Sequence, residues 1–177
     1  MISITAVLYM LIIISAAIGA LRGWAKELLV TFSTVLALFV IIVMEKYVGF
    51  VQGMIESGGT ETEFYFRILI LAVLTFFGYQ TPRIQRLADA ARRERLQDSI
   101  MGSLLGAVNG YFIFGSVWAY LHKAEYFLDF IKSPEIGTEL GDAALAIIEK
   151  MPPMWVDVPG IYVFVALAFI FVVIVYI

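Results

Sequence analysis

The chain has 177 residues, of which 62% are apolar and 15% charged, against about 45–50% and about 25% in soluble domains; with a mean hydropathy of +0.92, a water-soluble globule is excluded. It has no cysteine and one histidine, which removes disulfides, thiol nucleophiles and cysteine-held metals and weakens any haem, metal or general-base proposal. The net charge of -3 gives no bulk attraction to nucleic acid. These numbers describe an all-α integral membrane protein, a single transmembrane domain over 1–177, because only helices and closed barrels satisfy their backbone in lipid.

A spanning helix needs roughly 20 apolar residues. The first run, about Ile2 to Leu21, meets this. No positive residue precedes it and Arg22 and Lys26 follow it, so it reads as a retained span rather than a cleaved signal. Ser15, Gly19 and Gly23 recur every four residues along it, a small-residue stripe that lets another helix approach closely. The second run is Leu28 to Met44, with Trp24 at its start as an interfacial anchor. From Val51 to Thr62, with Gly53, Gly58 and Gly59, a mobile loop is expected. The third run, Phe64 to Tyr79, is the weakest, and Arg67 near its start is expected to snorkel to the interface.

Thr81-Pro82 carries the cap-then-proline signal of a helix start. A narrow apolar stripe (Ile84, Leu87, Ala88, Ala91, Leu96) and Arg83, Arg86, Arg92, Arg93 and Arg95 predict an amphipathic helix reaching Asp98. It is expected to lie in the headgroups, where basic residues favour an anionic leaflet, or to dock an acidic partner; no recognition motif supports nucleic acid.

The fourth run spans Ser99 to Leu121 and follows Asp98 with Gly102, Gly106 and Gly110 at intervals of four. With the first stripe, this predicts packing of spans one and four; self-association and a solute path are the alternatives. Asp98 is a candidate ion-pair partner for Arg22 or Lys26. Asn109 is the one strongly polar residue deep in a span, where an interhelical hydrogen bond is expected. His122 reads as a surface histidine.

Ser133-Pro134-Glu135 predicts the start of an outer-surface amphipathic helix. Its apolar stripe would be Ile136, Leu140, Ala143, Ala144, Ile147 and Ile148, and it is expected to cap the bundle or touch a partner. Met151-Pro152-Pro153-Met154 ends it. A fifth run, Ile161 to Ile177, has no polar stop, so the chain either ends inside the inner leaflet or continues past Ile177.

The basic residues set the expected orientation. Arg22, Lys26 and the five arginines of 83–95 fall in the links after spans one and three. The link after span two holds only Lys46 against Glu45, Glu56, Glu61 and Glu63, and the link after span four is also acid-rich. The N-terminus is therefore expected outside and the C-terminus in the cytoplasm.

Two segments carry a family signature. Gly19-Ala-Leu-Arg22-Gly23-Trp-Ala-Lys-Glu27 resembles the G-x-x-R-G-x-x-x-E pattern of the colicin V production protein (CvpA) family, and Asp98 followed by Gly102, Gly106 and Gly110 resembles its second pattern. Two features differ: that family often opens its first span with an aspartate, where this chain has Ser3, and its usual four spans are here followed by a fifth. The resemblance implies a bacterial inner-membrane protein linked to toxin export and envelope upkeep, and no defined reaction. The chain carries no phosphate-binding loop, nucleophile elbow or metal-ligand pair, so no enzyme activity, cofactor or metal is expected. The bilayer is the expected partner, together with other membrane subunits or a second copy. The rival readings are an accessory subunit of a respiratory, photosynthetic or secretion complex, and a small channel or transporter.

Overall fold

The computed structural model describes residues 3–80, 95–156 and 159–176. Helix α1 (Ile4–Arg22) and helix α2 (Trp24–Tyr47) are separated by Gly23 alone, whose φ of +86° ends one helix and opens the next. A backbone of this sign suits glycine, which has no Cβ to clash. Helix α3 (Gly49–Tyr79) follows, then α4 (Arg95–Lys123), α5 (Glu139–Ile148), the single turn α6 (Pro152–Trp155) and α7 (Gly160–Tyr176). No strand occurs among the described residues. Helices α1, α2, α3 and α4 are long and apolar enough to cross a membrane. Helix α7 has 17 residues, about 26 Å at the helical rise.

Two expectations are corrected. The segment 51–62 is helical, not a loop: α3 runs through it and bends at Gly59 (φ 69°, ψ -166°). Its glycines lower helix propensity but do not forbid a helix, and Val51 anchors it in the core. The outer helix does not start at Ser133-Pro134-Glu135. It starts at Glu139, where Thr138 caps it by accepting from the Gly141 N–H at 3.1 Å. Gly137, at φ +84°, breaks the chain direction between the two cap signals. The stripe shifts accordingly: Ile136 and Leu140 are exposed, while Gly141, Ala144 and Ile148 are buried. The expected cytoplasmic helix, with Arg83, Arg86, Arg92, Arg93 and the Arg95 side chain, lies outside the described residues.

Helix α2 is central, packed on α3, α4 and α7, while α1 lies along α4. One apolar core joins Leu38 and Ile41 of α2, Phe64 and Leu71 of α3, Tyr120 and Leu121 of α4, and Ile161 of α7. A second joins Leu8 of α1, Trp118 and Ala119 of α4, and Ala144, Ile148 and Met151. Helix α5 thus caps the α1–α4 pair at one end. Large apolar side chains such as Ile13, Leu69, Phe77 and Leu104 point outward, which lipid solvates without cost.

Candidate functional site

The small-residue stripes meet. A methyl group built on Gly19 would strike the Gly102 carbonyl oxygen, one on Gly106 would strike the Ser15 carbonyl oxygen, and one on Gly110 would sit 2.8 Å from the Ser15 Cβ. Backbone therefore touches backbone along α1 and α4. Close approach of this kind is a major source of helix affinity in lipid, where no hydrophobic effect drives association.

At the end of this seam the chain turns through Gly23, and the first turn of α4 holds both sides of the turn. The Ser99 hydroxyl donates to the Ala20 carbonyl at 3.0 Å, and Asp98 Oδ1 accepts from the Trp24 N–H at 3.0 Å. Helix α2 has no capping side chain of its own, since Gly23 occupies its N-cap. Asp98 supplies the missing acceptor from another helix and places negative charge at the positive end of the α2 dipole. A Cβ on Gly23 would lie 2.6 Å from Asp98 Oδ2, so glycine is required there for space as well as for φ.

The Arg22–Asp98 pair expected from the sequence is not formed. With Asp98 engaged at the α2 terminus, Arg22 turns to Glu27, its Nε 2.9 Å from Oε1, at an angle that makes it an ion contact and not an aligned hydrogen bond. The guanidinium also lies over the Tyr79 ring, 4.3 Å from its centre. Glu27, in the first turn of α2, has no exposed surface. Its Oε2 accepts from Asn109 Nδ2 at 2.8 Å, and the same nitrogen reaches the Glu27 carbonyl at 2.9 Å. Thr31 completes the group by donating to Asn109 Oδ1 at 2.7 Å. Asn109 thus makes the interhelical bonds expected of it, to α2. The signature arginine, the signature glutamate and Asn109 tie α1, α2 and α4 together, with Tyr79 adding α3.

A second cluster lies at the other end of α2. Arg67, expected to snorkel, is buried (8% exposed). Its Nε and Nη2 grip Glu45 Oε1 and Oε2 at 2.7 and 3.1 Å, it also contacts Glu63, and it lies over the Tyr120 ring. Sequence reading missed this because Glu45 looked like a loop charge; the signal was an arginine inside an apolar run with one glutamate at the end of the preceding helix and another four residues before it on its own. His122 falls in the last turn of α4 with its ring edge-on to Tyr126. Among the described residues, no group of three or more histidine or acidic side chains is placed to hold a metal.

Long apolar helices joined by close backbone contact and a buried charge network define a multi-pass α-helical membrane protein. A family model described as colicin V production protein matches residues 4–126, more than half of the 177 residues, and the chain belongs to that family. No curated protein and no solved structure matches it. The match ends just past α4, so α5, α6 and α7 lie beyond it.

Proposed function

We propose that this protein has a non-enzymatic role in the bacterial inner membrane, as a helical component that supports membrane-complex assembly, export or envelope upkeep. One observation carries this reading. Glu27, the fully buried carboxylate, has one oxygen against Arg22 and the other bonded to Asn109. Ionisable groups inside a membrane usually mark substrate or proton routes; this one is taken up by helix–helix contacts, which suits a scaffold better than an enzyme or a channel.

Purification of the full-length protein from native membranes in mild detergent, with mass spectrometry of what accompanies it, tests the proposal. Co-purification in fixed stoichiometry with unrelated membrane subunits, lost in Gly106→Leu, is the expected result. Recovery alone, together with solute flux across liposomes that the Asn109→Leu variant abolishes, would replace this reading with that of a channel.

A further inference from the structure

We infer that the part of α3 before its bend, residues 49–58, is a surface helix that docks on the lipid boundary at the Glu45 end of the bundle, with Phe50 as its inserted anchor. Two heights fix where this segment lies. The antiparallel helices α2 and α3 meet at Gly78, where a Cβ would lie 2.5 Å from the Ser33 hydroxyl oxygen and 3.2 Å from the Val30 Cα. Val48 is 15 residues past Ser33 and 18 past Val30, and Gly59 is 19 residues before Gly78. At the helical rise these are about 23–27 Å and about 29 Å from the same crossing. The segment between them is about 15 Å long as helix, yet its ends differ in height by only roughly 2–6 Å. It therefore lies along the surface of the bundle and not upright in it. Its height above the crossing matches the hydrocarbon thickness of about 30 Å.

Two contacts fix which side faces the bundle. Val51 is 2% exposed, and the Gln52 side-chain amide donates to the Glu45 and Lys46 carbonyls at 3.1 and 2.9 Å, satisfying acceptors left open at the end of α2. Helical spacing puts Phe50, Val51, Met54 and Ile55 on one side and Glu56 opposite. Phe50, at the edge of the apolar side, is 82% exposed, and Tyr47 at the preceding corner is 62% exposed. Aromatic rings exposed at the hydrocarbon boundary are those of the interfacial belt of membrane proteins. The occupant is lipid because the surface continues as lipid-facing helix: Tyr65 and Leu69, within ten residues of Gly59, are also exposed. Residues 46–58 carry Lys46 and Glu56 and no net charge, so apolar insertion, not headgroup charge, holds the segment.

The test uses the full-length, cysteine-free protein in phosphatidylcholine vesicles, with a nitroxide attached at Phe50→Cys or at Glu56→Cys, both exposed positions. Relaxation of the nitroxide by oxygen, which concentrates in lipid, is compared with relaxation by a water-soluble nickel chelate. The oxygen-to-nickel ratio at position 50 should exceed that at position 56 severalfold, and should not change when half of the phosphatidylcholine is replaced by phosphatidylglycerol. Tyr47→Cys should give the same lipid-side ratio, an independent reading if Phe50→Cys fails to fold. Nickel favoured at positions 47 and 50 as at 56 would place the rings in water and overturn the proposal. A label at 50 screened from both reagents would assign the face to a protein, such as a second copy of the chain, and overturn it too. So would a ratio that rises only with phosphatidylglycerol, since headgroup charge would then hold the segment.

Discussion

Glu27 and Asn109 show how charge and hydrogen bonding divide the work in the interior. Removing one member of a buried ion pair leaves the other charged without a partner, at about 3–5 kcal/mol, whereas an interhelical hydrogen bond in a membrane contributes about 1–2 kcal/mol at most. Arg22→Ala should therefore destabilise the protein by about 3–5 kcal/mol, and Asn109→Ala by clearly less, even though Asn109 makes two bonds to Glu27. Chemical denaturation in detergent gives the order; Asn109→Ala proving the more damaging would mean that hydrogen bonding, not charge pairing, holds the network. Arg22 and Glu27 stand out in the sequence as a signature pair, but their mutual contact does not, because Asp98 is an equally plausible partner on charge alone. Asn109 is 82 positions from Glu27, and only the packing of α4 on α2 brings the two together.

Glycine has three different uses among the helices, and substitution separates them. At Gly106 there is no room, because the Ser15 backbone fills the space a side chain would take. Gly106→Leu should cost at least the roughly 1–3 kcal/mol of overpacking and lower recovery of folded protein. At Gly59 there is room, with nothing within 4 Å, but φ 69° with ψ -166° belongs almost solely to glycine. Gly59→Ala should thus cost about 1–3 kcal/mol through strain alone. Gly53 has neither constraint, and Gly53→Ala should stabilise α3 by up to about 1 kcal/mol. Melting temperatures of the three variants should rank in that sense, and a destabilised Gly53→Ala would show that its open surroundings are not what the geometry describes. The seam of α1 and α4 was legible because spacing by four fixes a helix face. The kink in α3 was not, since three glycines in one short segment predict weak helix as readily as a bend. The start of α5 was misplaced for a related reason: two cap signals stand five residues apart, and the choice falls to a positive φ at Gly137 that no side chain announces.

For the whole molecule, α2 is the post around which α3, α4 and α7 gather, and the two ends of the bundle differ. One end holds Arg22, Glu27 and Asp98; the other holds Glu45, Arg67 and Lys123. In the sequence, Lys26 and the five arginines of 83–95 also follow the first and third long helices, and basic residues concentrate on the cytoplasmic side of membrane proteins, so the Arg22 end is expected inside. Ser57, in the first part of α3 after the Glu45 end, and Gln97, in the first turn of α4 beside Asp98, are both exposed. Single cysteines there should react with a membrane-impermeant reagent from opposite faces in intact cells and inverted vesicles; labelling from the same face would reverse the topology of one half. The cysteine-free background makes the measurement direct.

The hold of Asp98 and Ser99 on both sides of the Gly23 turn also imposes an order in time. The chain emerges from the N-terminus, so α1 and α2 are made while the acceptor for the Trp24 amide is still 74 residues away. Until α4 arrives, the hairpin waits with an uncapped helix start and a carboxylate that has only Arg22 to face it. Helices inserted in lipid can stand independently and associate afterwards. The last of the four long helices therefore acts as the bolt that closes a door already hung, and a ribosome stalled before residue 98 would leave that door unlatched.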